Sequence, residues 1–108
     1  MDYAVAVYEF LARLPEQEKY NLASQLRRAA TSVPLNIAEG CGAATNTEFA
    51  RFLGFAYRSL KEVVTALELC ERLYPSLPGD RTHDLIEEGN HISKMIYAFM
   101  RKVDPGNL

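Results

Sequence analysis

The chain has 108 residues, with 12 lysines and arginines against 14 aspartates and glutamates and a formal net charge of -2. That length holds one domain with one core and leaves a high surface-to-volume ratio, which makes self-association useful. The balance of charge excludes a global basic field that would draw in nucleic acid or anionic membrane from a distance, so any such contact must rest on a local patch.

The segment from Asp2 to Arg13 is almost wholly apolar and reads as a short helix closed by Leu14-Pro15, because a residue before proline avoids the α region. Its apolar surface, on Tyr3, Val5, Val7 and Phe10, exceeds the stripe about 100° wide that packing on one side requires. Either this helix meets a second surface, as at a subunit interface, or it is sunk deep in its own bundle. A second helix is predicted from Pro15, which suits a first helical position, with Glu16 and Glu18 against the positive end of the dipole. Leu22, Leu26, Ala29, Val33 and Ile37 then form one stripe that runs straight past Pro34, predicting a single kinked helix. Pro34 removes a hydrogen bond to the Ala30 carbonyl, at about 3 kcal/mol or more unless Thr31 and Ser32 compensate.

Gly40 and Gly42 predict a C-cap with positive φ, and Thr45-Asn46-Thr47-Glu48 predicts a capping box that opens the third helix. Phe49, Leu53, Ala56, Leu60, Val63, Leu67, Cys70 and Tyr74 alternate spacings of four and three, as bundle packing requires, and Pro75 ends the run. Ser76 to Asp80 is a predicted turn, with the fourth helix starting between Pro78 and Thr82. Leu85, Gly89, Ile92, Ile96, Phe99 and Val103 continue the same spacing until Asp104-Pro105-Gly106 stops it. Gly89 on a core stripe makes sense where a neighbouring helix needs the room. The expected fold is all-α, one antiparallel up-down-up-down four-helix bundle over residues 1–108.

Five polar residues, Gln25, Arg28, Ser32, Asn36 and Glu39, fall beside the core stripe of the second helix as a seam flanking Pro34. Arg28 and Glu39 are too far apart to pair with each other, about 16 Å along a straight helix. The seam is therefore either a set of caps and inter-helix bonds that fix the helix or a surface facing a ligand or another subunit. Basic candidates for nucleic-acid or partner contact are Arg27 and Arg28 on the second helix and Arg51, Arg58, Lys61 and Arg72 on the third, where Glu62 and Glu68 interrupt the face. Candidates for an oligomer interface are Tyr3, Val7, Phe10, Phe55, Leu69 and Leu73.

Catalytic chemistry finds little footing. Glu88-x-x-His91 has the spacing of a bundle metal site but no second such motif, and His83 sits near a helix start, so neither a di-iron nor a zinc centre is expected. No nucleophile comes with a base and an orienting group, and Gly40-Cys41-Gly42 follows a helix and lacks the lysine of a phosphate loop. Cys41 and Cys70 share no paired spacing and no secretory pattern leads the chain, which points to a reducing, cytoplasmic setting. The longest apolar run, Tyr3 to Tyr8, is too short to span a bilayer.

The stretch L-R-R-A-A-T-S-V-P-L-N-I-A-E-G from Leu26 to Gly40, followed by E-F-A-R-F-L-G-F-A-Y-R-S-L-K-E from Glu48 to Glu62, closely resembles a bacterial four-helix bundle family. That family is named for proteins encoded in intervening sequences of 23S ribosomal RNA genes, and related bundles serve as accessory variability determinants of diversity-generating retroelements. Arg27, Arg28, Ser32, Pro34, Asn36, Ile37, Glu39 and Gly40 match the signature, as do Glu48, Phe49, Phe52, Leu53, Ser59 and Glu62. The resemblance implies an antiparallel bundle assembled as a homopentameric ring or barrel, without known catalysis or cofactor. In retroelement members it implies binding of nucleic acid and of a partner reverse transcriptase. Those members are typically basic, whereas this chain is slightly acidic.

Overall fold

The computed structural model describes residues 1–77 and 81–107. The elements are α1 (Asp2–Leu11), a 3₁₀ turn (Glu16–Glu18), α2 (Leu22–Cys41), α3 (Asn46–Leu73), α4 (Arg81–Val103) and a second 3₁₀ turn (Pro105–Asn107). No strand occurs among the described residues. α3 is the spine: α2 and α4 pack along it, while α1 lies against α2 and α4. Gly40 lies beside Phe49 and Phe52, Ser32 is bonded to Ser59, Val64 abuts Gly89 and Phe49 meets Phe99. Along each of these contacts residue numbers rise on one helix as they fall on its neighbour.

Burial follows the predicted stripes with instructive exceptions. Leu22, Leu26, Ala29 and Val33 of α2 and Leu53, Ala56, Leu60, Val63, Leu67 and Cys70 of α3 form the core, with Ile37, Phe49 and Tyr74 half-buried at its ends. α2 runs as one helix with Pro34 in its interior. On α4, Leu85, Gly89 and Ile96 are buried, but Phe99 is 49% exposed and Met100 takes its place in the core. Phe99 instead rests edge-on against Phe49, ring centres 5.7 Å apart. The turn predicted at Ser76 to Asp80 and the expected α4 start fall in part on 78–80, outside the described residues; α4 is described from Arg81.

α1 resolves one alternative. Tyr3, Val7 and Phe10, expected as oligomer-interface candidates, are buried in the chain's own core, so they are corrected to packing residues. The helix has little polar face because α2 and α4 both cover it, and Tyr3 Oη donates to the Leu85 carbonyl at 2.8 Å. Val5 and Tyr8 are its exposed apolar residues.

Two helix ends differ from expectation. α2 starts at Leu22 and not at Pro15, whose ψ of 149° is not helical. Residues 15–21 instead fold through short turn bonds, Glu18 N–H to the Pro15 carbonyl and Lys19 N–H to that of Glu16. These turns deliver the buried Glu18 carboxylate to Tyr74 Oη, which donates to it, and to Asn21 Nδ2 at 3.3 Å. At the other end Gly42 caps α2 with φ of -91°, without the positive φ expected. Gly40 has a different use. A Cβ there would stand 2.9 Å from Phe49 Cδ1 and 3.0 Å from Phe52 Cβ, so the missing side chain lets the end of α2 close onto α3. α3 opens on half of the predicted capping box: Thr45 Oγ1 accepts from the Glu48 N–H at 3.1 Å, while the Glu48 carboxylate turns to Arg51.

Candidate functional site

The polar seam separates into a joint and a rim. Ser32 Oγ accepts from Asn36 Nδ2 at 2.8 Å and from Ser59 Oγ at 2.8 Å, and Asn36 Nδ2 also donates to the Ser32 carbonyl at 2.9 Å. The centre of the seam therefore ties α2 to α3 within one chain. Gln25, Arg28 and Glu39 are exposed, and their side chains make no hydrogen bond or ion pair to another described residue. Thr31 Oγ1 donates to the Arg27 carbonyl at 2.7 Å and so receives the Tyr8 hydroxyl at 3.1 Å. Its proton goes to Arg27, one turn back, and not to the carbonyl that Pro34 leaves free.

The six basic candidates divide into three places. Arg27 and Arg28 line a shallow concavity on α2 with Tyr8, Thr31, Ser32, Leu35 and Asn36. Arg72 stands apart in the last turn of α3, where a cation suits the dipole. Arg51, Arg58 and Lys61 come together along the boundary of α3 and α4 with a residue the sequence reading missed, Lys94 of α4.

This boundary is a groove of two concavities, about 330 and about 280 Å³, that share Tyr57 and Tyr97 in their walls. Gly54, Phe55, Arg51, Arg58 and Met100 join them in the first, with Thr47 and Ala50, and Lys61, Asn90, Ser93 and Lys94 in the second. Cations lie over its rings: the guanidinium of Arg51 is 5.5 Å and that of Arg58 5.8 Å from the Phe55 centre, and Lys61 Nζ is 6.0 Å from that of Tyr57. Tyr57 and Tyr97 lean together with centres 5.5 Å apart. No carboxylate is among the described residues lining either concavity. Glu62, expected to interrupt the basic face, lines a separate concavity on the α2 side of α3 with Leu22, Gln25 and Leu69, and Lys61 borders both that concavity and the groove. Glu48 reaches this side only by its ion pair with Arg51 at 3.1 Å. Lys94 and Tyr97 share one face of α4 with Asn90, a face whose basic character shows only once α3 is laid beside it.

Of the remaining interface candidates, Leu69 and Leu73 are exposed, and Phe55 is half-buried between Arg51 and Arg58. His83 faces Glu87 at 3.2 Å and Glu71 at 3.9 Å, and no group of three or more potential metal ligands converges among the described residues. Burial, and then the charge of Glu18, push the Cys70 thiol up to about 11, while Cys41 is exposed. The hydrogen bond to Glu18, and then burial, raise the Tyr74 phenol, and burial likewise raises Tyr3. No helix among the described residues is long and apolar enough to cross a membrane.

No curated protein matches this chain. Its fold is that of a crystallised protein of unknown function from the S23 ribosomal protein family of Bacteroides thetaiotaomicron, with a TM-score of 0.80 and 24% identity over 93% of each chain. Neither that description nor the family's names an enzymatic activity. The model of the 23S rRNA-intervening sequence protein family matches residues 1–98, and the chain belongs to that family.

Proposed function

We propose that this chain is a non-enzymatic, cytoplasmic, homo-oligomeric scaffold that binds nucleic acid through the groove between α3 and α4. The observation that carries the reading is the segregation of charge: Arg51, Arg58, Lys61 and Lys94 line the groove with no carboxylate among its described lining residues, on a chain whose net charge is -2. Cations interleaved with aromatic rings are what a phosphate backbone and its bases engage. With no global field to help, binding acts at short range and falls steeply with salt.

Self-association is supported by the apolar residues left outside the core, among them Leu35, Leu69, Leu73 and Met95. The family resemblance makes the expected assembly a pentamer, and a ring would repeat the groove and multiply its field. It also makes a retroelement reverse transcriptase the candidate protein partner.

The experiment is binding of labelled RNA and DNA followed by fluorescence anisotropy across a salt series, with native mass measured in parallel. Binding that weakens with salt and drops on Arg58→Ala is the expected result. A stable monomer at micromolar concentration would remove the oligomeric part of the reading. Absence of binding at low salt would favour the second reading, a structural or protein-binding bundle, which the same exposed leucines support.

A further inference from the structure

Resting on that nucleic-acid reading, we infer that the groove between α3 and α4 takes a single strand, with bases stacked on its aromatic wall and the backbone on its cations. A duplex hides the faces of its bases and offers a protein phosphates, sugars and base edges, none of which calls for an aromatic stacking wall. Here the rings are built into the surface. Tyr97 is 39% exposed, leans on Tyr57, and shares both concavities with it.

The phenol groups add a second observation. Tyr3, Tyr8 and Tyr74 each spend their hydroxyl on a bond within the fold, and Tyr20 stands 87% exposed away from the groove. The hydroxyls of Tyr57 and Tyr97 bond to no other described residue, although both rings are held in place by their mutual contact. The Asn90 side chain, in the wall of the second concavity, likewise bonds to no other described residue and offers both a donor and an acceptor to a base edge.

Shape agrees with chemistry. Gly54 leaves the floor of the first concavity without a side chain, and Met100 sits beneath it: a Cβ at Gly54 would stand 3.5 Å from its Sδ. At about 330 and about 280 Å³ the two concavities lie near the lower end of volumes that enclose a small planar ligand. Arg51 and Arg58 flank the first and Lys61 and Lys94 the second, so each base site carries its own pair of phosphate partners.

The test compares a fluorescein-labelled oligouridylate of roughly 12 nucleotides with an RNA duplex of the same length at equal salt. The expected result is at least about tenfold tighter binding of the single strand, and loss of that preference on Tyr97→Leu with duplex binding unchanged. Lys94→Ala is expected to weaken both ligands alike. Equal binding of strand and duplex by the unmodified chain, or an unaltered preference in a Tyr97→Leu chain of native helicity, overturns the single-strand inference and leaves nucleic-acid binding standing. Failure of both probes to bind at about 50 mM salt overturns the underlying reading as well. A Tyr97→Leu chain that changes native mass while keeping its preference would assign the groove to a second copy and also overturn the inference.

Discussion

Gly89→Ala tests the packing on which the whole arrangement depends. A Cβ at Gly89 would stand 2.5 Å from Tyr3 Oη and 2.7 Å from Val64 Cγ2, closer than real contacts allow. Tyr3 and Val64 belong to α1 and α3, so the new atom meets two helices at once. Alanine improves helix propensity by about 1 kcal/mol, overpacking a dense core costs about 1–3 kcal/mol, and displacing the Tyr3 hydroxyl from the Leu85 carbonyl costs about 1 kcal/mol more. The net expectation is a loss of about 1–3 kcal/mol, which lowers Tm by about 4–8 °C per kcal/mol in a domain near this size. Urea and thermal unfolding followed by circular dichroism at fixed protein concentration read it directly. Gly54→Ala is the control, since its Cβ would make an ordinary 3.5 Å contact with Met100 and the propensity gain should survive. If Gly89→Ala proves as stable as the parent while Gly54→Ala behaves as stated, the close approach of α1, α3 and α4 is not the reason for the glycine.

Ser59→Ala removes the hydroxyl donated across to Ser32 and should destabilise by about 1 kcal/mol, with Ser32→Ala costing more because it also strips Asn36 of a partner; a double-mutant cycle measures the coupling between the two sites. Ellman's reagent should titrate one thiol rapidly, Cys41, and a second only on unfolding, Cys70. Because Cys70 lies at about 11 in the fold and near 9.0 unfolded, its contribution to stability is intact below about pH 9 and is lost as pH climbs through about 11. Urea midpoints should therefore fall over that window in the parent and fall less in Cys70→Ala.

What was legible in the sequence was what repeats locally. The stripes of α2 and α3 follow from the spacing of Leu22 to Val33 and Leu53 to Cys70, and Thr45 announced its own cap. The misreadings have physical causes. A strict seven-residue spacing from Leu85 puts Phe99 in the core, but a straight helix drifts by about 20° per heptad, which turns Phe99 outward and brings Ser93 and Met100 in. Pro15 was a sound first position for a helix, yet Glu18 is held by Tyr74, 56 residues away, and no local rule sees that bond. The apolar surplus of α1 fits either a second surface or a helix sunk in its own bundle, and the structure gives the latter, with α2 and α4 both covering it. The groove was least legible because it belongs to two helices: Arg58 and Tyr57 look like a mixed solvent face until Lys94 and Tyr97 stand opposite.

An acidic chain can present a basic groove only if its carboxylates are occupied or directed elsewhere, and the structure shows both. Glu18 is buried against Tyr74, Glu71 and Glu87 face His83, and Glu62 lines the α2–α3 side. Among the described residues, Glu48 is the carboxylate ion-paired to a groove cation, Arg51, while Glu62 shares a concavity with Lys61 on the α2 side. The salt dependence of binding therefore has a definite size. A single strand that engages all four cations of one groove should give a slope of log K against log salt of about -3, and about -2 if Arg51 stays with Glu48. Glu48→Gln should move the slope from the smaller value toward the larger. A slope of about -5 or steeper with the same short strand cannot come from one groove and would mean that neighbouring copies share it, which ties the binding measurement to the assembly. A slope near zero with measurable affinity would instead mean that no phosphate is neutralised, and it would refute the assignment of these four side chains to a nucleic-acid backbone.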